Sequence, residues 1–164
     1  MKAGIGMEID PRAFRNAMGC FATGVTVAAA MAQDGQPAGV TVSSFTSVSL
    51  TPPLVLFCLD KQTSCLEVFK KASHFALNVL TDGQRDLSNR FASKIADKWS
   101  GIAYHKTPSG QPALPECLAV YDCQREAVHE MGDHLVFVGR IVHLACDENR
   151  RPLVYFRGNY AEIG

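Results

Sequence analysis

Four segments of this 164-residue chain group side chains that could do chemistry. The first, Thr41–Ser49, reads TVSSFTSVS. Small residues there let backbone approach a flat ligand, and hydroxyls add adaptable donors and acceptors. The same run also reads as the Ser/Thr-rich end of a strand. The second, Asp60-Lys61-Gln62-Thr63-Ser64, precedes a helical pattern. Free backbone N–H groups, two hydroxyls and a lysine would suit a phosphate. Glu67 completes a capping-box pattern with Ser64 and seeks the same positive helix end, so a plain helix start is the other reading. The third is Gly132-Asp133-His134. Its histidine can sit at a pocket mouth and meet a charged cofactor, or make one backbone hydrogen bond and no more. The fourth, Tyr155-Phe156-Arg157-Gly158-Asn159-Tyr160, offers a guanidinium for bidentate anion binding and an aromatic wall. Its plainer reading is a terminal strand and turn.

Other chemistries lack their patterns. There is no GxSxG elbow, no HExxH, no GxGxxG and no CxxC pair. His74, His105, His129 and His143 form no metal-ligand spacing, so no metal is expected. Cys20, Cys58, Cys65, Cys117, Cys123 and Cys146 are spaced poorly for a zinc knuckle and are expected to be reduced and mostly buried. Sixteen Lys+Arg balance sixteen Asp+Glu, so nothing calls for nucleic acid or an anionic membrane as partner. The N-terminus has no signal-peptide apolar stretch, and the longest apolar runs are far short of a membrane span. The expectation is a soluble, cytoplasmic protein.

The elements that must position these residues are short. Asp10-Pro11 starts a helix whose Phe14, Ala17 and Met18 share a face before Gly19. Val25–Ala32 reads as a largely buried strand, joined through an Asp34–Gly35 turn to a second around Ala38–Val42. Leu54–Leu59 and His74–Leu80 read as strands flanking a short helix, CLEVFKK, capped by Ser64. Asp82 is expected to cap Gly83–Ala92, where Leu87 and Phe91 share a face. Residues 95–116 read as a long ordered loop. Alternation returns at Leu118–Cys123, Ala127–Met131, His134–His143 and Leu153–Phe156. Many short strands, few helices and Gly/Pro turns favour one mainly β domain, a closed or nearly closed antiparallel barrel.

Taken in order, FRNAMGCFATGVTVAAA, GVTVSSFTSVSLTPPLVLFCLD, HFALNVL, LSNRFA, GDHLVFVG and PLVYFRGNY resemble the flavin reductase family with the FMN-binding split-barrel fold. The likeness is nearest to reductase components of two-component aromatic monooxygenases and spans nearly the whole chain. It implies a single domain over residues 8–164, a homodimeric, six-stranded Greek-key-like antiparallel barrel with short peripheral helices. It also implies NAD(P)H-dependent reduction of FMN, with FAD possible as substrate, and delivery to a separate monooxygenase. By that likeness Thr41, Ser43, Ser44, Phe45 and Thr46 flank the isoalloxazine. Asp60, Lys61 and Ser64 lie near the ribityl phosphate, and Asn78 and Leu80 beside the ring. Gln84, Arg90 and Phe91 complete the phosphate or nucleotide region. His134 meets the nicotinamide of NADH or NADPH, and Arg157 and Tyr160 close the pocket. Pyridoxamine-phosphate oxidases share related barrels and stay open as a second enzyme class. A flavin-binding electron carrier or redox sensor is the non-enzyme alternative.

Overall fold

The structure, a computed structural model, describes residues 8–163. Helix α1 (Pro11–Met18) is followed by β1 (Thr23–Gly24), β2 (Thr26–Met31), β3 (Pro37–Val42), β4 (Thr46–Ser49) and β5 (Leu54–Asp60). Next come α2 (Leu66–Lys71), β6 (His74–Val79), a 3-10 turn (Asp82–Gln84) and α3 (Arg85–Ala92). A two-stranded ladder of β7 (His105–Lys106) and β8 (Pro112–Ala113) crosses the 95–116 segment. The chain ends in a long hairpin, β9 (Ala119–Met131) and β10 (His134–Cys146), and a short one, β11 (Val154–Phe156) and β12 (Asn159–Ala161).

Seven strands form one antiparallel sheet in the order β3-β2-β6-β9-β10-β5-β4. The expected closed, six-stranded barrel is therefore corrected. The sheet has seven strands, and its two end strands, β3 and β4, share no ladder. The reason lies at Ser43–Phe45, which separates them and belongs to no strand. The register Thr46↔Leu56 would place Ser44 opposite Cys58. There the Ser44 hydroxyl accepts from the Cys58 N–H at 2.9 Å and donates to its carbonyl at 3.3 Å. A side chain thus satisfies the backbone groups of β5 that a continued strand would have used.

Two cores flank β2, which is buried on both faces. Ala28 and Ala30 face one core, with Val55, Phe57, Leu59, Phe75, Leu77 and Phe137. Phe57 stacks on Phe137 at 5.4 Å and meets Phe75 edge-on at 5.1 Å. Leu66 and Phe69 of α2 seal this side. Val27 and Ala29 face the other core, with Leu80, Phe91, Trp99, Leu114 and Leu153. Each buried Phe or Leu side chain contributes roughly 1.5–3 kcal/mol by leaving water, so the alternation within β2 ties both cores to one strand.

Local signals were met in some places and overridden in others. Asp10 accepts from the Ala13 N–H at 2.8 Å, as a cap should. The Ser64–Glu67 box does not form; Cys65 takes the cap position and Glu67 instead accepts from Lys70 at 2.7 Å. Asp82 does not cap either. Thr81 and Gln84 form a capping box one residue earlier, with Gln84 Oε1 accepting from the Thr81 N–H at 3.0 Å. The two runs Leu118–Cys123 and Ala127–Met131 are one continuous strand, β9.

Candidate functional site

Three adjoining grooves lie around the open seam at Ser43. Thr41, Val42 and Ser43 line a slot of about 400 Å³ whose opposite wall is Ser88, Asn89 and Ala92 of α3 and Tyr155, Asn159 and Tyr160 of the terminal hairpin. At Ala92 this slot adjoins a groove of about 520 Å³, lined by Asp60, Thr63, Ser64, Ser93, Lys94 and Lys98. At Ser43, Tyr155 and Gly158 it adjoins a third groove under α1.

The walls are fastened by hydrogen bonds that leave the slot itself unblocked. The Thr41 hydroxyl donates to the Ser88 carbonyl at 2.7 Å, fixing β3 to α3. The Tyr160 hydroxyl lies 2.8 Å from Ser88 Oγ and 2.7 Å from Asn89 Oδ1. With one proton, it donates to Asn89 and accepts from Ser88. The Arg85 guanidinium stands 5.8 Å over the Tyr160 ring. Ser43, by contrast, is exposed and its hydroxyl has no partner among the described residues.

Asp60 and the glycine turn are brought together by β-pairing. His134 of β10 is the register partner of Asp60, and the Lys61 N–H donates to the Asp133 carbonyl at 3.0 Å. His134 Nδ1 lies 2.7 Å from the Asp133 carboxylate, and this hydrogen bond holds the Asp133 carboxyl below the usual range. Gly132 has φ +60° and enters a two-residue turn, so the turn itself accounts for that glycine.

Several expected residues sit elsewhere. Asn78, Leu80 and Phe91 are wholly buried. The Asn78 amide is spent on the Val27 and Pro112 carbonyls and the Leu114 N–H. Gln84 holds the Thr81 N–H and the Pro115 carbonyl, and Arg90 donates to the carbonyls of Lys98 and Ser100 at 2.6 Å each. These residues support the walls from behind. Phe45 stacks on Tyr121 at 5.5 Å, and the exposed Thr46 bonds its own neighbour, Ser47. Lys61 pairs with Glu130. The cations that line the groove are Lys94 and Lys98, which the sequence reading missed because one falls just before and the other inside the weakly patterned 95–116 segment, away from the 60–64 segment. Lys98 donates to the Phe91 carbonyl at 2.8 Å and has no carboxylate partner among the described residues; desolvation lowers its pKa.

This donor set fits a flavin mononucleotide. A narrow slot edged by small residues and hydroxyls opens into a groove with two cations against one carboxylate, Asp60. The combined space is of the order that small-ligand sites use. Burial pushes the Cys117 and Cys123 thiols up to about 12 and raises that of Cys65. All six are free, but the expectation that most are buried is corrected: Cys123 is buried, Cys58, Cys65 and Cys117 are half-buried, and Cys20 and Cys146 are exposed.

The profile of the flavin reductase-like domain matches residues 18–164. The chain belongs to this family, a family of NAD(P)H:flavin oxidoreductases. It is 42% identical to the reductase subunit HsaB of a flavin-dependent monooxygenase from Rhodococcus jostii, over 94% of this chain and 79% of that one. It is 41% identical to the FMN reductase (NADH) SmoA of Agrobacterium fabrum, over 94% and 87%. Among solved structures, the NADH:FAD oxidoreductase of Streptomyces globisporus, in complex with NAD and FAD fragments, superposes with a TM-score of 0.89. Identity there is 29%, covering 97% of this chain and 98% of that one.

Proposed function

We propose that this chain reduces FMN or FAD with NADH or NADPH and releases the reduced flavin to a separate flavin-dependent monooxygenase. The observation that carries the reading is the slot at Thr41–Ser43. It is walled by backbone, hydroxyls and small residues, with cations at one end and no paired nucleophile and base. Relatives whose names pair a reductase with a monooxygenase support the partner, and relatives named for FMN and for FAD support either flavin.

A bound flavin would supply the hydride acceptor and the nicotinamide the donor. The protein's work is then positioning and charge placement. The backbone of Thr41–Thr46 and the free Ser43 hydroxyl hold the ring edge, and Ser44, locked to Cys58, keeps that backbone in place. Lys94, Lys98, Thr63 and Ser64 bind the phosphate, with Asp60 limiting the groove's net positive charge. Lys61, tied to Glu130, acts at longer range. His134 reaches the nicotinamide, oriented by Asp133. Asn78, Leu80, Gln84, Arg90 and Phe91 position the walls, and Arg157 and Tyr160 bound the hairpin side.

Residues 8–164 act as one functional unit in a homodimer in the cytoplasm. Dimerisation is supported by the free outer edge of strand β4, with Val48 50% exposed and Leu50, just beyond the strand, 87% exposed. Among the described residues no helix is long and apolar enough to cross a membrane.

Anaerobic NADH oxidation with and without added FMN tests the reading. Turnover should rise and saturate with free FMN while reduced flavin accumulates in solution. A protein that retains yellow flavin yet oxidises neither NADH nor NADPH, with FMN or FAD, is instead a carrier or sensor.

A further inference from the structure

Lys61, Lys70, Lys71, Lys94 and Lys106 are exposed, whereas Lys98 is half-buried. Its backbone is fixed from several sides. The Arg90 guanidinium donates to the Lys98 carbonyl and to that of Ser100, at 2.6 Å each. The Asp97 carboxylate accepts from the N–H groups of Trp99 and Ser100, at 3.1 and 3.0 Å. The Trp99 ring is buried and meets Phe91 edge-on at 4.8 Å. The amine is held too, since it donates to the Phe91 carbonyl at 2.8 Å. Lys61 and Lys70 pair with Glu130 and Glu67, whereas Lys98 has no carboxylate partner among the described residues.

This positioned amine lines the 520 Å³ groove together with Lys94, Thr63 and Ser64. Asp60 is the carboxylate of that lining, and the Cys65 thiol, raised in pKa by burial, is the further titratable group near the amine. Desolvation lowers the Lys98 pKa, which enlarges the share of neutral amine with a nucleophilic lone pair. In an acyl phosphate the electrophilic carbonyl carbon is one oxygen away from phosphorus. Cations and hydroxyls that hold the phosphoryl group therefore bring that carbon to the amine.

We propose that Lys98 is a modification site, acylated by acyl phosphates that dock in this groove, and that acylation withdraws a cation from the flavin phosphate. The consequence for flavin rests on the phosphate assignment above. Lys98 Nζ bonds to the carbonyl carbon, the carbon–oxygen bond to the phosphoryl group breaks, and the amine proton leaves with the phosphate as hydrogen phosphate. No electrons change hands. The product amide is uncharged and keeps one N–H for the Phe91 carbonyl.

The test incubates the purified protein with acetyl phosphate and follows each lysine by peptide mass spectrometry. Lys98 should be acetylated at least about tenfold faster than the exposed Lys71. Excess inorganic phosphate should suppress acetylation at Lys98 and leave Lys71 unaffected. Acetic anhydride carries no phosphoryl group, so with it the preference should shrink and phosphate should not protect. Lys98→Gln, which carries an uncharged amide without altering Lys94, should bind FMN at least about tenfold more weakly. Its riboflavin affinity should match the parent's, which checks that the variant is folded.

Equal rates at Lys98 and Lys71, or acetylation that phosphate does not slow, overturns the proposal. So does an equal preference with acetic anhydride, which would leave the groove no part in the reaction. Phosphate-sensitive acetylation of Lys98, alongside a Lys98→Gln variant that binds FMN as the parent does, overturns the flavin-phosphate assignment and the consequence drawn from it. Weakened FMN binding in Lys98→Gln, without acetylation of the parent at Lys98, rejects the modification alone.

Discussion

Tyr160→Phe isolates one hydroxyl that joins the terminal hairpin to α3 along one wall of the slot. The ring is kept, so the edge-on contact with Tyr155 at 5.6 Å and the Arg85 guanidinium above it persist. Two hydrogen bonds are lost, and they are not equal. Asn89 is exposed, so water replaces the hydroxyl at Oδ1 at little cost. Ser88 is 1% exposed, and its hydroxyl loses the partner it had at 2.8 Å. An unmet buried hydroxyl costs about 1–3 kcal/mol. Half-burial of Tyr160 itself lets some water in, which places the expected loss near 1–2 kcal/mol. For a chain of this size that is a fall in Tm of about 2–8 °C. The hairpin's docked population can drop by no more than about 5–30-fold, which caps the rise in FMN Kd. Thermal unfolding by circular dichroism and flavin fluorescence titration read the two effects. A Tm within about 1 °C of the parent, with unchanged FMN affinity, would show that Tyr160 does not latch the slot.

Gly139→Ala should destabilise by about 1–3 kcal/mol. A Cβ there would stand 2.5 Å from Phe75 Cζ and 3.0 Å from Cys123 Cβ, inside the Phe57–Phe137 core. A denaturant midpoint equal to the parent's would contradict that packing. FMN affinity should fall at alkaline pH before other lysines titrate. Lys98 is desolvated in the fold, so its pKa is depressed; the bound phosphate favours the ammonium, and affinity is full below that pKa and lost as pH rises through it. The alkaline loss should vanish in Lys98→Met and with riboflavin, which has no phosphate; its persistence in both would remove Lys98 from the phosphate site. His134→Ala should raise the KM for NADH more than the Kd for FMN, and equal losses in stopped-flow reduction and flavin titration would reject a nicotinamide role.

Much of the fold was legible because local and tertiary demands agree. The Asp34–Gly35 hairpin, the Asp10 cap and the buried β2 follow from turn chemistry, capping and a run of β-branched and small residues. The strand patterns at Val55, Phe57 and Leu59 and at Phe75 and Leu77 also hold, since those residues fill one core. Capping was less legible. Ser64 and Glu67 have the right spacing, but Lys70 one turn on offers Glu67 a stronger partner, and nothing local decides between them. Closure of the sheet was not legible at all. It depends on whether the Ser43–Phe45 segment pairs by backbone or by side chain, and hydropathy is silent on that choice. The site shows the same division. Thr41, Ser43, Ser64 and Tyr160 reach the grooves, whereas Asn78, Gln84 and Arg90 turn their polar groups to backbone partners inside the scaffold. A motif marks where the chain passes; it does not say which way a side chain turns.

The break in the sheet and the candidate site are one feature. A ladder continued through Ser43–Phe45 would consume the backbone donors and acceptors that a flat, polar-edged ring needs. Ser44 prevents this by answering both polar groups of Cys58 with a single hydroxyl. The Thr41 hydroxyl then holds α3 to β3, and the Tyr160 hydroxyl holds the terminal hairpin to α3, which together wall the slot. Bulk at Ser43 would occupy the slot directly, whereas loss of the Ser44 hydroxyl would free β5 to pair and leave the slot without its edge. Ser43→Trp and Ser44→Ala should therefore both weaken flavin binding, but only the second should change the protection of the Cys58 amide in hydrogen exchange. Identical exchange at Cys58 in the two variants would separate the seam from the site and undo this account.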